Sequence, residues 1–289
     1  MKILQQPQIT QAEINSIERY HKDVSENGYR PWKTVRQSNT HGQGQEIWSH
    51  VSDRGIHLYS RGERGLFVVI ERLPNLIDIR EQMPLPIDET LELAKELNIL
   101  HPGAYAERQE YGGIIPAKTM TSDIVAIFQT PDGEITPKVF SFKYASSLDG
   151  SKNTRSVNRT WDKLKLERSY WQRQNVDWVL VTDQCLDPDY IYNLEYLRQC
   201  FDFAEVLEDA KGFYFQFIRR FTDNLTESPQ LTLMQLLEIL AGEFDLPLYQ
   251  SEAIFQHAAY KNDLKLNLYQ RIELYRPLPQ QEMEASHAA

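Results

Sequence analysis

Met120 to Tyr144, M-T-S-D-I-V-A-I-F-Q-T-P-D-G-E-I-T-P-K-V-F-S-F-K-Y, is the stretch whose reading decides the fold. Asp123 opens the apolar run Ile124 to Phe128, which has the length and β-branched content of a strand. Pro131-Asp132-Gly133 then supplies turn chemistry, and Lys138 to Tyr144 reads as the returning strand. A hairpin symmetric about Gly133 sets Asp123 opposite Lys143, on one face at one end of the sheet. A two-residue Asp132-Gly133 turn slips the register by one and puts them on opposite faces. An Asp and a Lys projecting together suit metal-dependent phosphodiester cleavage, with the carboxylate holding the ion and the ammonium steadying developing charge. The plainer alternative is a cross-strand ion pair at a sheet edge.

Composition bounds what surrounds this hairpin. The chain has 289 residues with 41% hydrophobic and 25% charged content, enough for one large or two ordinary folded domains. No apolar run approaches a membrane span, and M-K-I-L-Q-Q-P-Q is too polar for a secretory signal, so a cytoplasmic protein with no membrane association is expected. Cys185 and Cys200 and the seven scattered His form neither a disulfide framework nor a zinc pattern. The net charge of -10 is unevenly spread. Residues 184–289 hold 17 Asp and Glu against 8 Lys and Arg, whereas residues 138–173 hold nine basic residues against three acidic ones. Lys152, Arg155, Arg159, Lys163 and Lys165 are the candidates there for phosphate contacts.

Outward from the hairpin, the order of elements gives a mixed sheet flanked by helices, an α/β class. Gln11 to Val24 has helical periodicity, and Glu46 to His50 and Gly55 to Tyr59 read as a small hairpin. Ser60-Arg61-Gly62-Glu63 precedes a helical stripe over 66–73, with the spacing of a capping box in which Glu63 closes the helix start. Asn75 to Pro86 is an expected strand, Asp88 to Leu97 a helix, 157–173 a basic helix and Trp178 to Thr182 a buried strand. After Asp183-Gln184 the composition changes. Helices are expected from Asp187, over Phe213 to Phe221, Leu231 to Phe244 and Ser251 to Tyr260. L-K-L-N-L and R-I-E-L-Y then read as two strands, completing a winged-helix layout. The expected domains are 1–183 and 184–289.

Several separate motifs resemble the TnsA family, the endonuclease subunits of heteromeric transposases. They are Y-R-P-W-K-T-V (29–35), I-W-S-H (47–50), H-L-Y-S-R-G-E (57–63), L-I-D-I-R-E-Q-M-P-L (76–85), T-S-D (121–123), S-F-K (141–143) and K-L-K-L-E-R-S-Y-W (163–171). The resemblance implies a restriction-endonuclease-like domain followed by a mainly helical winged-helix domain. It implies catalytic Glu63, Asp123, Ser141 and Lys143, with Mg²⁺, or Mn²⁺ in its place, on Glu63, Asp123 and the Phe142 carbonyl. Glu167 matches a family position as an outer-shell carboxylate, although an ordinary i,i+4 partner would look the same. Ser141 departs from the wider nuclease superfamily, which has an acid two residues before the Lys, and so removes one charged oxygen from the metal shell. The implied function is cleavage of the 5′ strand at transposon-end DNA, beside a TnsB-like transposase and a TnsC-like AAA ATPase. A non-catalytic scaffold recruiting the ATPase and a stand-alone restriction or repair nuclease are the alternatives.

Overall fold

The computed structural model describes residues 5–37, 43–151, 154–201 and 211–278. Helix α1 (Gln11–Asn27) starts at the Thr10 side chain, which accepts from Glu13 N, and ends at Gly28. A hairpin of β1 (Gln45–Ser49) and β2 (Arg54–Leu58) follows, then α2 (Arg61–Glu71). β3 (Leu76–Pro84), α3 (Ile87–Glu96), β4 (Thr121–Gln129), β5 (Ile135–Lys143), α4 (Thr154–Arg173) and β6 (Asp177–Thr182) complete the part up to Cys185, where the chain divides into two units. The main sheet runs β3-β4-β5-β6, antiparallel for its first three strands and parallel between β5 and β6, with α4 as the crossover.

The β4–β5 turn corrects the expected register. Gly133 is not the apex: it takes the left-handed position (φ 87°) that closes the turn, with its N–H bonded to Thr130 O. The turn therefore centres on Asp132, and pairs such as Ile124–Phe140 and Gln129–Ile135 have numbers summing to 264, not 266. A shift of two keeps the parity. Asp123 lies across from position 141, and Lys143 is its diagonal neighbour on the same face.

Neighbouring residues of β5 point to opposite faces, and their contacts identify the flanking helices. The Phe142 ring lies against Gly62 of α2, where an added Cβ would come within 2.0 Å of it, so only glycine lets the helix approach. Ser141 points the other way and bonds Glu167 of α4. On the α4 side, Leu93, Ala94, Val125, Val139, Leu166, Tyr170 and Trp171 form one buried cluster. β6 is half-buried along its length, as befits a sheet edge, rather than the fully buried strand its apolar run suggested.

One buried ion pair ties the small hairpin to the sheet. Glu81 of β3 is wholly buried, and Arg54 of β2 grips both its oxygens, Nη1 to Oε1 at 3.0 Å and Nη2 to Oε2 at 2.6 Å. His57 N also donates to Glu81 Oε1 at 3.1 Å. The pair is bidentate, and its loss would strand a charge in the core.

The second unit contains α5 (Pro188–Leu197), α6 (Lys211–Glu227), α7 (Leu233–Glu243) and α8 (Leu248–Tyr260). Phe217, Phe221, Leu236, Leu240 and Phe255 fill its core, and Phe221 stacks on Phe255 with centroids 5.2 Å apart. The β-ribbon of the expected winged helix is absent. Among the described residues, 264–268 and 271–275 form turns and irregular backbone. Their backbone groups have other partners. Asn193 Nδ2 donates to the Leu268 and Gln270 carbonyls, Ile272 N donates to Asn193 Oδ1, and the Leu274 and Arg276 carbonyls receive Met234 N and Leu233 N at the start of α7. The leucine alternation marks residues turned into the core, and the segment caps a helix instead of pairing as strands.

Arg54→Ala should lower unfolding stability by about 3 kcal/mol, since the Glu81 carboxylate would be left buried and unpaired. Urea unfolding near neutral pH checks this; a loss within 0.5 kcal/mol, the range of an ordinary surface change, would show that the pair carries no such weight.

Candidate active site

The end of the sheet where the β4–β5 ladder stops at Ile124–Phe140 brings four charged groups together from four elements. Asp123 of β4 is the centre. Its Oδ2 accepts Phe142 N at 2.8 Å and Lys143 Nζ at 2.9 Å, and the same ammonium donates to Phe142 O at 2.7 Å. The β3–β4 ladder also breaks beside it. Pairs Glu81–Ile124 and Met83–Ser122 flank a gap at Gln82, which has φ 48°, directly across from Asp123. Gln82 Oε1 accepts Thr121 Oγ1 at 2.9 Å, which holds this distorted position.

Glu63 comes from the first turn of α2. Ser60 is the N-cap, accepting Glu63 N at 3.1 Å, while Glu63 Oε2 accepts Tyr59 N at 2.9 Å and Oε1 accepts the Ser60 hydroxyl at 3.2 Å. Although Glu63 reaches the Tyr59 amide and not the Ser60 amide that a capping box would use, the Ser60 cap is real. It is also what aims the carboxylate, because the same helix start is fixed against β5 by Gly62 and by Gly62 N donating to Tyr144 OH. Burial pushes the Glu63 carboxyl up to about 7, with Asp123 adding repulsion and Tyr59 N, Lys143 and Ser60 opposing it.

Glu167 is not on the solvated face of α4. It is buried, and its Oε1 accepts Ser141 Oγ at 2.7 Å; Trp178 Nε1 donates to that hydroxyl at 3.1 Å. Burial, then repulsion from Asp123, pushes Glu167 up to about 7. The carboxylate that position 141 lacks thus arrives from the helix, gripped by the serine standing in its place. Lys143 is raised above its usual value: burial works against its charge, but Asp123, Glu167 and Glu63 outweigh that.

Three carboxylates face one ammonium. Two hard oxygens, Asp123 Oδ2 and Phe142 O, already converge on a positive charge. Among the described residues no three His, Cys, Asp or Glu side chains stand close enough to hold an ion by themselves, so the backbone carbonyl would have to share the work. Glu63, Asp123 and that carbonyl are all oxygen donors, the ligand type that hard divalent cations take.

Of the basic candidates, Lys152 lies outside the described residues, and Arg155, Lys163 and Lys165 are exposed on α4. Arg159 donates to the Leu100 carbonyl, which gives it a structural task. Lys163 is held below its usual range, first by desolvation, then by Arg159 and Lys143, which places it within the field of the site. The sequence reading missed Tyr59, Ser122 and Trp178 as supporting residues; Ser122 Oγ accepts Trp171 Nε1 at 2.8 Å and helps hold α4 at the site. Tyr59, Ser122 and Trp178 stand in H-L-Y-S-R-G-E, T-S-D and W-V-L-V-T, none of which signals the partners these side chains meet.

A four-stranded mixed sheet flanked by helices is an α/β architecture that fits a nuclease fold. The family model described as TnsA-like endonuclease N terminal matches residues 73–183. It is 31% identical over 169 residues to the Transposon Tn7 transposition protein TnsA of Escherichia coli, covering 58% of this chain and 55% of that protein. The chain thus spans little more than half the length of that relative. The family match holds Asp123, Ser141, Lys143 and Glu167 but begins after Glu63.

The raised carboxyls make stability depend on pH. The native state binds protons that the unfolded chain releases above about 4.5, so metal-free stability should fall as pH rises from there through about 7. Glu167→Gln should flatten that slope, as read by urea midpoints in a chelating buffer; an unchanged slope would remove Glu167 as one of its sources.

Proposed function

We propose that this chain is a divalent-cation-dependent DNA endonuclease that cuts the 5′ strand at the ends of a transposable element, while a TnsB-like transposase cuts the 3′ strand. The observation that carries the reading is the Asp123–Lys143–Phe142 O cluster, with Glu63 and Glu167 beside it, inside a TnsA-like domain. Glu63, Asp123 and the Phe142 carbonyl would hold Mg²⁺ or Mn²⁺, which when bound would polarise the scissile phosphate and acidify a water. Lys143 would neutralise charge developing on the phosphate oxygens. Ser141 would keep Glu167 oriented toward the site, and Glu167, with a carboxyl near 7, would take and return a proton close to neutral pH.

Residues 184–289 are proposed as a docking domain for a protein partner, a TnsC-like ATPase. Their net charge of -9 repels phosphate, and the described Lys and Arg there are largely engaged. Arg220 pairs with Glu243, Arg276 with Glu273, Lys261 lies over Phe201 and Arg271 over Tyr192. Transposon-end recognition would then come from the TnsB-like partner, which also restrains the nuclease until the ends are assembled.

Asp123→Ala should abolish divalent-cation-dependent nicking of end-containing DNA. Lys143→Ala should cut about 10²–10³-fold more slowly while its DNA Kd moves only a few-fold. Gel-based cleavage beside fluorescence anisotropy checks both, and retained nicking in Asp123→Ala would remove the assigned centre. The 184–289 unit made alone should co-purify with the ATPase and show no duplex binding near physiological salt, about 0.15 M; tight duplex binding there, with the ATPase ignored, would replace docking by DNA contact.

A further inference from the structure

The motif Y-R-P-W-K-T-V has no role in the carboxylate cluster, yet its backbone is bonded to the residues that frame it. Trp32 N donates to Gln82 O at 3.2 Å, and Gln82 lies across the ladder from Asp123. Tyr59 OH donates to Lys33 O at 2.6 Å, and Tyr59 N holds Glu63. The side chains of the motif line something else, a cleft of about 400 Å³ between the motif, α1 and the approach to β4. Arg19, Arg30, Lys33 and Lys118 stand in its wall, with Glu13 the one acid and Ser16 and Thr119 adding hydroxyls.

The charges are not equally engaged. Glu13 is occupied, accepting Thr119 N at 2.9 Å and Thr119 Oγ1 at 2.7 Å, with Lys118 at 3.7 Å. Arg30 is paired with Asp23. Arg19 and Lys33 are exposed and have no ion-pair partner among the described residues. A chain of net charge -10 therefore keeps beside its carboxylate cluster a concave surface whose lining side chains sum to +3, or +1 once Asp23 and Glu107, which pair with Arg30 and Lys118, are counted. Polyanion recognition needs this, because the cluster itself repels a phosphate strand and something adjacent must hold it.

We propose that this cleft binds the phosphodiester backbone of the substrate DNA next to the scissile phosphate, with Arg19 and Lys33 as its two free cations. The proposal rests on the nuclease reading above and adds a second cationic wall to the one on α4. A phosphate strand is favoured over an acidic protein segment because the cleft shares Lys33 and Trp32 backbone bonds with the residues framing Asp123 and Glu63. A strand entering that cluster must pass along adjacent surface.

The test uses the full chain and its Arg19→Gln/Lys33→Gln variant, titrated with a labelled duplex in chelating buffer at several salt concentrations. Loss of two phosphate contacts should reduce the slope of log K against log salt by about 2 and weaken binding by about tenfold or more near 0.1 M salt. Lys33→Glu alone should weaken binding further than Lys33→Gln, and both residues being exposed, circular dichroism melts should stay at the wild-type midpoint. An unchanged slope in a folded double variant overturns the proposal. So does an unchanged slope with lost binding of a polyglutamate peptide, which would assign the cleft to an acidic protein segment. The nuclease reading fails separately, through wild-type protein that binds duplex with the full slope but never cuts with Mg²⁺ or Mn²⁺ and its partner transposase.

Discussion

A single carboxylate oxygen, Asp123 Oδ2, receives both the Phe142 amide at 2.8 Å and the Lys143 ammonium at 2.9 Å where the β4–β5 ladder ends. That junction does two jobs at once. It substitutes a side-chain acceptor for the missing ladder carbonyl, which keeps the frayed end of β5 in place. It also fixes one positive charge among carboxylates that would otherwise repel one another, and so the rest of the cluster can approach. Gln82, in a left-handed conformation opposite Asp123, opens the other side of the strand.

The helices bring surplus negative charge to this point, and each is held there by contacts with no charge of their own. On one face Gly62 lets α2 reach the Phe142 ring; on the other, Trp171 and Trp178 donate indole N–H groups to Ser122 and Ser141. Behind α2 the Arg54–Glu81 pair locks β2, whose continuation at Tyr59 supplies the amide that orients Glu63. Burial first, and then repulsion from Asp123, drives Glu63 and Glu167 toward neutrality in the absence of a metal. The same arrangement favours any cation that enters, whether metal or ammonium.

Charge is also what separates the two units. The first carries nearly balanced charge with basic surface gathered on α4 and in the cleft beside α1; the second is acidic, and its Arg220 and Arg276 are paired with Glu243 and Glu273. Among the described residues no helix is long and apolar enough to cross a membrane. The core of the second unit is aromatic and aliphatic, and its last described segment is used to cap α7.

Much of the first unit was legible in the linear chain because its signals are local. Apolar runs such as 124–128, the turn residues between them and the returning stretch 138–144, and a capping Ser60 before Glu63 each depend on neighbours a few residues away. Motif spacing was enough to single out Asp123 and Lys143, and parity kept them on one face even though the turn centred on Asp132 rather than Gly133. What needed tertiary structure were contacts across long sequence separations: Glu167 meeting Ser141, the Trp178 and Tyr59 hydrogen bonds, and Arg54 closing on Glu81. The expected β-ribbon failed for the same reason. Leucine alternation at 264–268 says which residues are buried, but whether their backbone pairs as strands depends on competing partners. Asn193 and the first turn of α7, 40 to 79 residues away, took those bonds.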